Sequence, residues 1–247
     1  MGTIWIGTSG YVYRDWVGVL YPPGLPQRAW LAHYAQHFDT VEINATFYRR
    51  QSWAVFERWR REVPPAFRFT IKGHRAVTHI KRLHDVEDEV ATVFDDAAGL
   101  GDALSCVLWQ LPPSFALDPD REHFEWLSRF LTLLPTTCHQ AIEFRHASWF
   151  VDEVFQLLDA AGIGFVVSDS PVIPHVERAT GRCAYVRFHG PGALYASAYT
   201  EEQLAAWAAK VIAFAATRDV YCYFNNDARG YAVLNAQRLQ ELVRGTA

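Results

Sequence analysis

Apolar runs that end in ionisable or amide residues recur along this chain. They include Val41-Glu42-Ile43-Asn44, Ile71-Lys72, Trp109-Gln110, Glu143-Phe144-Arg145-His146, Ser168-Asp169, Arg187-Phe188-His189 and Phe224-Asn225-Asn226. These types suit acid–base chemistry on an anion. A carboxylate can take a proton, an imidazole can give one, and Lys or Arg can hold negative charge. Glu143 or Glu42 is the expected general base and His189 the candidate acid. Lys72, Arg145 and Arg187 would hold the anion, with Asn225 and Asn226 as orienting donors. Asn44, Gln110, His146 and Asp169 end the same runs and join the candidate site. Strand alternation pairs Glu42 with Asn44, Glu143 with Arg145, and Arg187 with His189 on shared faces. Taken singly, each residue fits an ion-pair layer equally well; so many converging together favour a ligand site.

Aromatic residues follow the same runs. Tyr11, Tyr13 and Trp16 come after the first, Phe47 and Tyr48 after the second, and Phe115, Trp149 and Tyr195 after later ones. Tyr11, Trp16, Tyr48 and Trp149 are expected to contact a ligand, because aromatic loop residues stack on bases or sugars. For any one of them, packing of a loop is the plainer explanation.

The elements that must position these groups number eight strand-like runs: Thr3–Thr8, Thr40–Asn44, Phe67–Lys72, Ser105–Leu111, Ala141–Arg145, Gly164–Asp169, Ala184–His189 and Val220–Asn225. They are near-continuously apolar rather than alternating, as in a parallel sheet covered on both faces. Helical patterns lie between most of them: Trp30–Phe38, 52–62, 86–99, Phe124–Leu134, Val154–Ala161, 232–243, and a helix after a Thr200/Gln203 capping box. Eight alternations over 247 residues predict a TIM-type (β/α)₈ barrel in one domain, with an open doubly wound sheet as the competitor. Between strands six and seven only Ser170–Cys183 remains, with two prolines and a glycine, so that connection is expected to be irregular. In such a barrel the functional residues gather at the carboxyl ends of the strands, where these polar residues fall.

Gly190-Pro191-Gly192 and the stretch Asn225–Gly230 sit where barrels often hold phosphate through backbone N–H groups. A divalent metal on Glu42, Glu143, Asp169 and His189 is an alternative, although no HExxH, HxH or Cys/His cluster appears and the nearby cations compete for the carboxylates. No cofactor is firmly implied. A glycosidase pair of Glu42 and Glu143 ranks lower, since retaining and inverting pairs need about 5 to 9.5 Å and these lie three strands apart.

With 23 basic and 27 acidic residues, the formal charge is −4, so a nucleic-acid contact must be local. Half the residues are apolar, which excludes a disordered chain. The N-terminus lacks the pattern of a signal peptide, and no apolar run approaches a membrane span. Cys106, Cys138, Cys183 and Cys222 form no CxxC pair and read as reduced thiols. A cytoplasmic location is expected.

From about Ile4 to Ala236 the chain closely resembles the YecE-like family, a domain of unknown function. The resemblance rests on Gly7-Thr8-Ser9-Gly10-Tyr11 with Asp15-Trp16, Val41–Arg49, Phe69–Lys72, Thr78-His79 and Gln110–Phe115. Glu143–His146 with Ser148-Trp149, Tyr185–Gly190, Tyr223–Asp227 and Asn235-Ala236 complete it. It implies a TIM-type barrel and no established activity. The family has been likened to endonuclease IV-like barrels, which would imply a DNA or RNA ligand. Those enzymes use a histidine-rich multi-zinc centre, and here the strand ends carry too few histidines. Two functions follow: a hydrolase-like enzyme acting on a phosphorylated or nucleotide ligand, or a non-catalytic nucleic-acid-binding module. A carbohydrate enzyme is a third.

Overall fold

Each apolar run is too short to stand alone and pairs with the next one after a helix returns the chain. In the computed structural model, which describes residues 1–245, eight strands form: β1 Ile4–Ser9, β2 Thr40–Ile43, β3 Arg68–Lys72, β4 Leu104–Gln110, β5 His139–Glu143, β6 Gly164–Asp169, β7 Cys183–Phe188 and β8 Asp219–Phe224. All pairs are parallel and follow sequence order. Ile4 to Thr8 of β1 then pair with Val220 to Phe224 of β8, which closes the barrel. That last pairing decides against an open doubly wound sheet.

The helices are α1 Trp30–Tyr34, α2 Ala45–Tyr48, α3 Trp53–Arg61, α4 Glu87–Ala97, α5 Glu122–Thr132, α6 Asp152–Ala161, α7 Glu201–Ala215 and α8 Tyr231–Gly245. Their apolar stripes, such as Leu127 and Phe130 of α5 or Leu204 and Val211 of α7, bury against outward strand residues including Val107, Trp109, Ile142 and Val186. The expected capping box opens α7: Thr200 Oγ1 accepts from Gln203 N at 3.3 Å, and Thr200 N donates to Gln203 Oε1 at 2.9 Å. Among the described residues no helix is long and apolar enough to cross a membrane. All four cysteines are free thiols.

Residues 170–182 form no helix. Their end is held instead by Thr180, whose hydroxyl accepts from Phe165 N and donates to Ile163 O, both at 2.8 Å. The expected irregularity is therefore an ordered strap across the barrel wall.

The lumen departs from the branched aliphatic layers usual in this fold. Its middle holds Leu108, Ala141 and Val166 together with Tyr185, Tyr221 and Tyr223. Tyr223 reaches across from β8 to share hydrogen bonds with Thr40 of β2 (2.7 Å) and Thr70 of β3 (2.8 Å). Toward the carboxyl ends the lining turns ionic.

Candidate functional site

Arg187 of β7 occupies the centre of the ionic layer and is almost fully buried. Its guanidinium donates to Glu42 through Nε (3.1 Å) and Nη2 (2.8 Å), to Glu143 through Nη1 (2.9 Å), and to Ser9 Oγ through Nη2 (3.1 Å). Glu42 also accepts from Ser9 and from the Tyr185 hydroxyl (2.5 Å). Glu143 accepts from Ser168 Oγ at 2.8 Å and pairs with Arg145 Nε at 2.6 Å. Burial raises both carboxyl pKa values, but the guanidinium charges and the donated hydrogen bonds outweigh it, so both are held below the usual range. Arg187, pulled down by burial, is raised further by the two carboxylates.

This arrangement corrects the expected roles. Glu42 and Glu143 are counter-ions of the buried Arg187 and of Arg145, held ionised, and are poorly suited to take a proton near neutrality. His189 is buried, and burial pushes its pKa down to about 4, so it is a neutral imidazole and not an acid at pH 7. The guanidinium between the two glutamates, and the absence of a raised pKa on either, remove the glycosidase pair. The four-residue metal set also fails. Glu42 and Glu143 face Arg187, while Asp169 accepts from Trp207 Nε1 at 2.7 Å. Among the described residues no group of three or more His, Cys, Asp or Glu is placed to hold a metal ion.

Above this layer opens a cavity of about 650 Å³. Lys72, Arg75, Arg145 and Arg187 line it, against the single carboxyl of Asp227. Gln110, Asn44, Asn225 and His79 add polar groups, and Tyr13, Phe47, Tyr48 and Tyr195 form aromatic walls. Local structure explains the placement. Thr46 in α2 donates to Ile43 O (2.9 Å) and Lys72 O (2.7 Å), stapling the ends of β2 and β3. Phe47 thereby lies over the Lys72 ammonium, 4.1 Å from ring centre to nitrogen. After β3 a single π-helical turn, Ala76–Ile80, follows Arg75 and carries His79. Such wide turns recur at functional sites. Burial pushes His79 down to about 4, with Lys72 and Arg75 adding like charge, so it too is neutral.

Lys72 donates to Gln110 Oε1 at 2.8 Å and forms no ion pair among the described residues. Burial and the like charge of Arg187 bring its pKa down to about 8. Among the described residues Arg75 is likewise without an acidic partner. Arg145 and Arg187 have Glu143 and Glu42 beneath them, so the cavity keeps uncompensated positive charge at Lys72 and Arg75. Buried polar atoms without a hydrogen-bond partner gather here as well: Asn44 Oδ1, Arg145 Nε, His189 Nε2 and Asp227 Oδ1. The Arg145 N–H is close to Glu143 yet not aimed at it, and His189 Nε2 stops 3.8 Å from Glu143. Native interiors leave few such groups, and each calls for a water, an ion or a functional role; His139 Nδ1 and Asn226 Oδ1 are unpartnered away from the cavity.

A family model described as "Protein of unknown function DUF72" matches residues 5–247. The chain belongs to the DUF72 family. It is 28% identical to the UPF0759 protein YunF of Bacillus subtilis, over 97% of this chain and 94% of that one. The crystal structure of a DUF72 family protein from Thermotoga maritima is 32% identical, with a TM-score of 0.87 and 98% and 99% of the two chains covered. A candidate sugar phosphate isomerase/epimerase from Anabaena variabilis shares the fold alone: 12% identity, TM-score 0.51, 96% and 88% covered. The YecE-like resemblance and the TIM-type barrel both hold.

Of the expected site residues of this DUF72 chain, Asn44, Tyr48, Lys72, Gln110, Arg145, Arg187 and Asn225 line the cavity. Glu42, Glu143 and His189 lie beneath it, with His189 Nδ1 sharing a hydrogen bond with Asn225 Nδ2 at 3.2 Å. The others go elsewhere. Trp149 is buried between Phe115 and Phe144 and donates to Phe115 O at 2.7 Å. Trp16 is buried behind the rim, stacked near Tyr13 and Tyr21. Tyr11 lines a separate outer cavity with Arg28, Arg58 and Trp59. His146 is exposed and caps the turn Ala147–Trp149 through Ser148 N. Asn226 is buried and donates to Ser197 O and Asn235 Oδ1.

Several of the backbone N–H groups expected to grip phosphate are taken within the chain. Gly192 N and Ala193 N both donate to Ser197 Oγ at 3.0 Å, Gly190 N donates to the Tyr199 hydroxyl, and Ala232 N at the start of α8 donates to Asn226 O. Side-chain cations make the anion-attracting surface of the cavity. Arg75, His79 and Asp227 were missed as site residues. Arg75 precedes and His79 lies within a turn with no period to read, although Thr78-His79 belongs to the resemblance; Asp227 ends the motif Tyr223–Asp227, directly after Asn226.

Proposed function

We propose that the barrel mouth binds a phosphate-bearing substrate and acts on it as a hydrolase. The observation that carries this reading is Lys72. It is an almost fully buried ammonium at the carboxyl end of β3, paired only with a neutral amide, in a cavity whose wall adds Arg75. A buried charge without a counter-ion is costly, and an incoming anion offsets that cost. Arg145 and Arg187 deepen the positive field. Tyr13, Phe47, Tyr48 and Tyr195 suit a flat or sugar-like remainder of the substrate, as in a nucleotide. The partnerless atoms at the mouth give hydrogen-bonding capacity for the substrate and for a water nucleophile.

A thermal-shift screen of the purified protein tests this. Its panel holds phosphorylated metabolites, nucleotides, short oligonucleotides and neutral sugars, with and without divalent cations. A ligand at about 100 times its Kd adds roughly 2.7 kcal/mol, which is visible as a raised Tm. The expected result is a shift with phosphate-bearing compounds that disappears in Lys72→Met, followed by release of product from the compound that shifts most. Shifts confined to neutral sugars would overturn the reading.

A further inference from the structure

We propose that Asp227 is the proton donor of this site: it meets the bound anion as a carboxylic acid and gives an O–H hydrogen bond to an anion oxygen. The inference rests on the anion reading of the mouth and adds to it the group that distinguishes a reactive site from a simple cationic patch.

Asp227 is the single carboxyl in the wall of the cavity, facing a set of cations, and yet it forms no ion pair among the described residues. Its Oδ1 is buried without a hydrogen-bond partner. An ionised carboxylate in that position would repel the ligand that the cations attract; a protonated one would bind it. Burial is the dominant influence on this carboxyl and pushes its pKa up to about 7. Tyr13 from the loop after β1 and Arg187 from β7 pull it down, while Glu42 from β2 raises it. Tyr48, Lys72, Arg75, His79, Arg145 and Tyr195 complete the titratable and charged lining.

The main chain that carries the carboxyl is held in place. Trp16 Nε1 donates to the Asp227 carbonyl at 3.2 Å, and Gly230 N donates to the same carbonyl, also at 3.2 Å. Asn226 anchors the preceding residue through Ser197 and Asn235. Two residues beyond, Arg229 adopts a φ of 56°, and Tyr195, whose carbonyl accepts from Ala228 N, has a φ of 63°. Left-handed backbone at bulky residues costs free energy and persists where the surroundings over-determine it, which is common at ligand clamps. A proton donor needs such a fixed position more than a surface carboxylate does.

The test uses sulfate, whose charge is constant between pH 6 and 8. Isothermal titration calorimetry at low ionic strength compares the wild-type chain with Asp227→Asn. With Asp227 titrating near 7 and Lys72 near 8, wild-type affinity should fall about 20-fold from pH 6 to pH 8. Asp227→Asn keeps a donor that cannot ionise, so only the Lys72 contribution remains, about twofold. A second measurement needs no variant: at pH 7, in buffers of different ionisation enthalpy, sulfate binding should take up about half a proton. Sulfate binding with matching pH profiles in the two proteins, or with no proton uptake, overturns the role of Asp227 and leaves the anion site standing. No sulfate binding at any pH overturns the anion site and the proton donor together.

Discussion

Lys72 Nζ and Gln110 Oε1 are 2.8 Å apart, at the carboxyl ends of the adjacent strands β3 and β4. The ammonium thus rests against a neutral amide, although Glu42 and Glu143 lie close enough to act on its charge. Those carboxylates are taken by Arg187 and Arg145. The division leaves Lys72 and Arg75 without a carboxylate partner at the mouth, among the described residues, and one neutralised layer beneath them.

Anion affinity should therefore depend on the charge of Lys72. Its folded pKa is lowered to about 8, so its share of the affinity is present below that pH and lost above it, in addition to the loss through Asp227 near 7. Stability moves the other way. The unfolded chain binds the proton more tightly, so between about 8 and 10.5 stability rises with pH. Lys72→Met should flatten that rise and abolish binding. Denaturant midpoints at several pH values would read the first, and calorimetry with sulfate the second; a Met variant that keeps full affinity would remove Lys72 from the site.

Arg187→Met should destabilise the barrel by about 3–5 kcal/mol, because two buried carboxylates lose their shared counter-ion. Replacing all three partners together, as Glu42→Gln, Glu143→Gln and Arg187→Met, should recover part of the loss. Urea unfolding of the single and triple variants measures both. A single variant within 1 kcal/mol of wild type would mean the layer is far better solvated than its burial implies.

Glu143→Gln should lower stability by about 3 kcal/mol, since Arg187 and Arg145 both lose their carboxylate. The pH dependence has a definite sign. The folded pKa values of Glu42 and Glu143 are depressed, so their contribution is complete above the ordinary carboxyl range and drains away as pH falls below about 4. Acid unfolding followed by circular dichroism should shift less with pH in the triple variant than in wild type.

Trp149→Phe should cost about 1–2 kcal/mol through the lost bond to Phe115 O and leave anion affinity unchanged. A fall in affinity without a fall in Tm would return Trp149 to the ligand site.

Much of the framework is legible in the residues. Eight apolar runs, Gly162 ending α6 at a φ of 72°, and the Thr200/Gln203 box are local signals, set by hydrophobic period, glycine freedom and short-range hydrogen bonds. The location of the site follows from the same pattern, because polar residues recur at the carboxyl end of one apolar run after another. The roles within the site are not local. Glu42 and Glu143 are 101 positions apart in the chain and look alike as strand-end carboxylates. Only the closed barrel brings one guanidinium between them and turns two candidate bases into counter-ions.

The same distinction separates Asp169 from Asp227. Both follow strand-end amides or hydroxyls, and nothing in their neighbours tells them apart. Barrel geometry turns Asp169 outward to Trp207 and Asp227 toward the cavity, where burial raises its pKa. Side-chain period and chain length therefore determine the barrel and which end of it carries the chemistry. Which charges cancel and which remain is decided only by through-space distance and desolvation, and these exist only once β8 has closed on β1.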